Sequence, residues 1–222
     1  MKLKNIIIFF VALFLLSSCF SQKVFLNGDK KSGRMVLEYY LDNDYLTILS
    51  TALANIPTKD GSTIDPEILI DEKAFKNNFK NTKDVTLKSV KIDTKNGYKG
   101  TVEILFTDFE QSLNTIPKDL LNIKITRGND GLLQLSQKID LNRIDPSGIF
   151  LLFLDQLKLD DINLYNKIVK SAVFSIEISS PTQFKEAVGV TLSQDKKKIT
   201  YSFTLFDILN KKDKELNFFI SL

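Results

Sequence analysis

The stretch "VTLKSVKIDTKNGYKGTVEILF", residues 85–106, decides the fold. Side chains alternate along a strand, so Val90 and Ile92 share a face with Val102, Ile104 and Phe106 only if the residue numbers of each opposed pair have an even sum. An even sum demands an odd-numbered loop. "KNG", Lys95–Gly97, meets that demand as a three-residue turn with a bulge, Gly97 taking the left-handed position. Immediately afterwards "TDFE", residues 107–110, has the spacing of a capping box and opens a helix with Phe109, Leu113 and Ile116 inward and Pro117 beyond it.

Hairpin followed by helix recurs on either side. Upstream, "KVFL" (23–26) reads as a strand, "NGDKKSG" as a loop, and "RMVLEYYL" (34–41) as a strand with Met35, Leu37, Tyr39 and Leu41 on one face. Asp42-Asn43-Asp44 caps a helix in which Tyr45, Leu49, Ala52 and Ile56 recur until Pro57 stops it, and Asp71 caps a short helix carrying Phe75 and Phe79. Downstream, "IKITRGNDGLLQLSQKI" is a third hairpin around Asn129-Asp130-Gly131. Asp145-Pro146 then caps the helix "PSGIFLLFLDQLKL". The remainder is β: "SAVFSIEIS", "GVTLS", the basic turn "QDKKK", "ITYSFTL" with Ile199, Tyr201, Phe203 and Leu205 on one face, and "ELNFFIS". With no repeat and no Pro- or Gly-rich linker, the expected fold class is α+β. An antiparallel sheet built from successive β-hairpins carries packed helices in a single domain, residues 23–222.

Residues 1–22 follow another logic. Lys2 and Lys4 precede the apolar run Ile6–Leu16, too short to span a bilayer, and small residues follow it, as in a secretory signal peptide. Leu16-Ser17-Ser18-Cys19 resembles the lipobox of bacterial lipoproteins. That resemblance implies cleavage before Cys19, a diacylglycerol thioether on its sulfur and an acyl chain such as palmitate on its amine. Residues 1–18 are then the signal peptide and 19–22 the lipidated N-terminus and a short tether, which holds the domain almost on the headgroups. One fatty chain anchors a protein only marginally, whereas two or three hold it stably.

Composition excludes more than it suggests. The chain has 30 basic and 27 acidic side chains, and removing residues 1–18 takes Lys2 and Lys4 but no acid. Near-neutrality gives no reason to expect a nucleic-acid partner. Cys19 is the only cysteine and there is no histidine, so disulfides, Ser-His-Asp and Cys-His catalysis and a zinc site of nitrogen and sulfur ligands are all excluded. "GDKKSGRM" (28–35) has the glycine spacing of a P-loop, but Arg34-Met35 stand where Lys-Ser/Thr belong, and it reads as a turn. "DND" (42–44) lacks the glycine and distal glutamate of a calcium loop. No catalytic residue, cofactor or metal is expected.

Three segments together, "SGRMVLEYYL" after the lipidated Cys19, "NGYKGTVEILFTDFEQ" (96–111) and "IEISSPTQFKEAVGVTLSQDKKKITYSFTL" (176–205), resemble the LppM-like domain of bacterial envelope lipoproteins. The resemblance implies strands packed with helices as in lipid-binding proteins, and an envelope protein held on the membrane, extracytoplasmic, on the periplasmic face or the cell surface of a bacterium.

Two functions are compatible with this. The first is a non-enzymatic binding module for a lipid or other apolar ligand close to the bilayer. In "IFLLFL" six apolar residues run consecutively, more than one helical face can bury, so Ile149, Phe150, Leu152 and Phe153 are candidate lipid contacts and core burial is the alternative. Lys196, Lys197 and Lys198 are candidate headgroup contacts. The second function is a structural or interaction subunit of an envelope protein assembly. The expected partners are the membrane through the lipid anchor and either a lipid ligand or an envelope protein, with no nucleic acid.

Overall fold

The computed structural model describes residues 19–29, 31–41, 43, 47, 84–109, 111, 123–127, 133–140, 149–211 and 215–221. Two hairpins legible from alternation join edge to edge. β1 (Cys19–Leu26) pairs antiparallel with β2 (Gly33–Leu41), β3 (Val85–Asp93) with β4 (Tyr98–Phe106), and β2 with β4. Val90 stands opposite Val102 and Ile92 opposite Gly100, with Gly97 at φ 98° in the turn, as the even-sum argument requires. Nearer the start of β3 the register shifts between Leu87 and Ser89. That bulge returns Val85 and Leu87 to the face of Val90 and Ile92, opposite Phe106 and Ile104.

The expectation of an antiparallel sheet from successive hairpins needs correction. β1 pairs in parallel with β7 (Val173–Ser179), and β7 pairs antiparallel with β10 (Lys198–Thr204), which takes the two-residue β9 (Thr191–Leu192) at the edge. The resulting seven-stranded order is β3-β4-β2-β1-β7-β10-β9. A parallel pair needs a long crossover, and here residues 27–172 lie between β1 and β7, so local periodicity carries no trace of it. The third hairpin, β5 (Ile123–Arg127) with β6 (Leu133–Asp140), goes instead to a four-stranded sheet with β11 (Glu215–Ser221) and β8 (Glu186–Val188), in the order β5-β6-β11-β8. Of "GVTLS" (189–193) only Thr191–Leu192 is strand, and the residues just before it form β8. Gly189, at φ 75°, turns the chain from β8 in one sheet to β9 in the other.

Helices enter at three described places. α1 (Ile149–Asp160) overlaps the expected helix over 149–159 and ends one residue beyond it. α2 (Ile162–Ser171), which the periodicity reading missed, follows at once behind the Asp161 cap, whose carboxylate accepts from the N–H groups of Asn163 and Leu164. α3 (Leu205–Leu209) replaces the expected end of a strand. Thr204 and Asp207 form a capping box, and Leu205 is buried as the first helical residue. At 107–110 the expected cap is displaced by one residue: Asp108 accepts from the Gln111 N–H, while the Thr107 hydroxyl donates to Asp84. Asn43 and Thr47 are helical, with the Thr47 hydroxyl donating to the Asn43 carbonyl. The signal peptide, the rest of that helix, the Phe75–Phe79 helix, most of the helix after Phe109 and the Asp145-Pro146 cap lie outside the described residues.

One face of the seven-stranded sheet is core. A row of apolar side chains crosses all seven strands: Leu87, Ile104, Met35, Val24, Ile178, Ile199 and Leu192, each opposite the next. Phe109 and Phe184 pack in the same cluster, as does Ala187 of β8. The other face is polar, with ion pairs Lys23–Glu38 at 2.5 Å and Lys198–Glu177 at 2.6 Å. Such half-exposed pairs add about 1 kcal/mol or less each, so the core face carries the stability.

Candidate functional site

β1 starts at Cys19 itself, which stands opposite Tyr40 of β2 and Val173 of β7. Residues 19–22, expected as a tether, are thus strand, held by ladders on both sides because "CFSQ" continues the alternation of "KVFL". That places Cys19 at one end of a central strand. Around this Cys19 end, β7 begins and β10 ends, since Val173 stands opposite Thr204. α2 therefore joins the sheet here through Ala172, and α3 leaves it, with the Leu205 N–H bonded to the Ala172 carbonyl at 3.0 Å.

On the core face, the row next to this end is aromatic: Tyr39, Phe20, Phe174 and Phe203 stand side by side, flanked by Gly100 and Ile92. Phe174 and Phe203 stack at 5.0 Å and Tyr39 stacks on Tyr98 at 5.7 Å. The Tyr39 ring lies over Gly100, in the space a Cβ would take. The row behind it is Val90, Val102, Leu37, Gln22, Ile176 and Tyr201. Gln22 is 1% exposed and its Oε1 has no hydrogen-bond partner; the Tyr39 hydroxyl is buried beside Tyr98. Such an atom costs about 1–3 kcal/mol in lost hydration, and most buried polar atoms are paired. Burial, reinforced by the adjoining Tyr98, pushes the Tyr39 phenol far above its ordinary pKa, so it remains a neutral hydroxyl. Burial also raises Tyr201, with the Asp207 charge adding to it. Sequence reading passed over Gln22, although a signal was present: it occupies a core position in the alternating series Phe20, Gln22, Val24, Leu26.

The expected contact residues scatter. In α1, Leu154 is buried while Leu152 is 67% exposed, so the apolar run divides between core and surface. Leu159, seven residues on and therefore on the same helical face as Leu152, is also exposed. The side chains of Ile149, Phe150 and Phe153 lie outside the described residues. Lys196, Lys197 and Lys198 stand at the opposite end of the sheet from Cys19. Lys198 is opposite Ser179, which is opposite Phe25, six residues and about 20 Å along β1. That separation exceeds two Debye lengths at physiological salt, so the lysines and the thiol cannot meet one flat headgroup layer with β1 upright. They belong to a self-contained turn: Lys196 takes φ 56°, Lys198 pairs with Glu177, and the Asp195 carboxylate accepts from the Ser193 hydroxyl and the Lys197 N–H.

Among the described residues no group of three or more His, Cys, Asp or Glu could hold a metal ion, and no helix is long and apolar enough to cross a membrane. No family model matches the chain, and no curated protein matches it. The chain is similar to the NMR structure of the folded domain of the Mycobacterium tuberculosis LppM protein, at 12% identity and a TM-score of 0.41, over 91% of this chain and 87% of that one. A likeness of this size assigns neither a family nor a function.

Proposed function

We propose that the protein is a lipoprotein of the bacterial envelope, anchored extracytoplasmically through Cys19, and that it binds a lipid or other apolar ligand close to the bilayer without catalysis. The observation that carries the ligand reading is Gln22. Its amide oxygen is buried without a partner beside an aromatic row that includes Phe20, the residue following Cys19. A hydroxyl or amide of an amphiphile whose chains lie along the aromatic row would satisfy that atom. The alternative, an assembly subunit docking by strand addition, is disfavoured at the β3 edge, where the bulge and the exposed Lys88 and Lys91 oppose pairing.

The experiment is mass spectrometry of lipids that co-purify with the chain from membranes, for the wild type and for Gln22→Leu. Removing a buried unpartnered amide should leave the melting temperature unchanged or raised. The expected result is a bound lipid in the wild type and several-fold less in the variant. No lipid in the wild type, or equal loading in both, contradicts the binding reading.

A further inference from the structure

We propose that the Cys19 end of the seven-stranded sheet is a rim that seats on an anionic bilayer surface, with the opposite end held in water. The proposal deepens the anchored reading above and rests on it for the presence of the bilayer. Its own basis is what the strand register brings to that end. Tyr40, opposite Cys19, is 37% exposed; Phe206, at the start of α3, is 38% exposed; Ile92, on β3, is 40% exposed. From β10 to β3 the rim spans five strand spacings, roughly 24 Å, so these side chains stand apart rather than forming one contiguous patch.

Between them come lysines. Lys99 is opposite Tyr40 on β4, Lys95 is in the adjoining turn, and the Lys170 ammonium lies 5.5 Å from the centre of the Phe206 ring, with Lys211 just after α3. Among the described residues at this end, Asp93 and Asp207 are engaged locally. Asp93 accepts from the Lys95 N–H at 3.0 Å, and Asp207 accepts from the Thr204 N–H and hydroxyl at 2.6 and 2.7 Å. Aromatic side chains that are half in and half out, interspersed with lysine, match the headgroup layer of a membrane, where ring bodies meet acyl chains and each ammonium gains roughly fivefold in affinity from anionic lipid. A protein partner would call for a continuous buried patch, which spacing of this kind does not offer.

The test uses the chain purified from membranes. Single thiols are introduced as Phe206→Cys and Lys99→Cys at the rim and Lys197→Cys at the opposite end, each carrying bimane. Quenching by doxyl-labelled phosphatidylcholine is read in vesicles of phosphatidylcholine and phosphatidylglycerol. A free Cys19 would label equally in every variant and is subtracted with the unsubstituted chain. The expected result is quenching several-fold greater at both rim positions than at Lys197→Cys. Equal quenching at the two ends, greater quenching at Lys197→Cys, or none anywhere overturns the rim. The intact mass at Cys19 reads the anchor separately. An unmodified Cys19 with rim quenching sinks the anchor and keeps the rim, whereas an acylated Cys19 without the difference does the reverse.

Discussion

The two ends of the seven-stranded sheet solve the same problem differently. At the end away from Cys19, the turns are closed by their own carboxylates. Asp29 accepts from the N–H groups of Lys31 and Ser32 and from the Ser32 hydroxyl, and Asp195 does the same work between β9 and β10. Backbone bonds stitch those turns to their neighbours, Phe109 N–H to Lys31 and Phe184 N–H to Lys196, and both phenylalanines are buried behind them. Among the described residues there, Leu105 is a large apolar side chain that faces water. At the Cys19 end, Tyr40, Ile92 and Phe206 stand out among lysines. An end whose hydrogen bonds close on themselves asks nothing of its surroundings; an end that leaves rings in water gains by meeting a surface.

The largest effect that would sharpen this contrast comes from two glycines. A Cβ at Gly33, near the self-closed end, would run into the Phe25 backbone carbonyl, and one at Gly100, near the Cys19 end, would run into the Tyr39 ring. Backbone held in two ladders cannot give way, whereas a ring can swing. Gly33→Ala should therefore lose about 3 kcal/mol, the upper end for overpacking, and Gly100→Ala nearer 1 kcal/mol, both read from chemical denaturation. Equal losses would mean that the aromatic row is as rigid as the opposite end.

A smaller effect is the response to acid. Backbone N–H donors to Asp29, those of Ser32 first, and the Ser193 hydroxyl and Lys197 N–H at Asp195 hold both carboxyls below the ordinary aspartate value of 3.8. A depressed folded pKa contributes stability that is present above the unfolded value and is lost as pH falls through the folded one. Amide exchange at Lys31, Ser32 and Lys197 should consequently speed up, beyond the intrinsic rate, as pH is lowered from 3.8, and the Asp29→Asn change should remove that response at Lys31 and Ser32. An unchanged response in the variant would show that the carboxylate does not close the turn.

Local patterns made half of this architecture legible. Alternation marked β1–β2 and β3–β4, the even-sum argument placed Val90 opposite Val102, and Gly97 took its positive φ. The shift at Lys88 was also visible, as apolar positions 85 and 87 give way to 90 and 92, but it went unread. What no window of residues contains is the parallel meeting of β1 with β7, the departure of β5–β6 to a second sheet, or the change of sheet at Gly189. Those depend on pairings outside any local window: Cys19 with Val173 for β1–β7, Gln134 with Ser221 for β6–β11 and Glu186 with Ser221 for β8–β11. The site was legible to the same extent. Cys19 was singled out by its lipobox-like neighbours and remains part of the proposal, whereas the distance of Lys196–Lys198 from it follows from the β1–β7–β10 register. Gln22 was visible as a polar residue in a core series, yet only three-dimensional packing shows that nothing bonds its amide oxygen.

The most direct measurement is hydrogen exchange of the membrane-purified chain, compared in detergent and in vesicles containing phosphatidylglycerol. It reads both ends of the sheet in one sample. The account predicts that vesicles slow exchange at Tyr40, in the Asp93–Lys99 turn and across α3 to Lys211, and leave the 27–32 and 193–198 turns unchanged. Slowing confined to the 27–32 and 193–198 turns, or spread evenly over both ends, would contradict it.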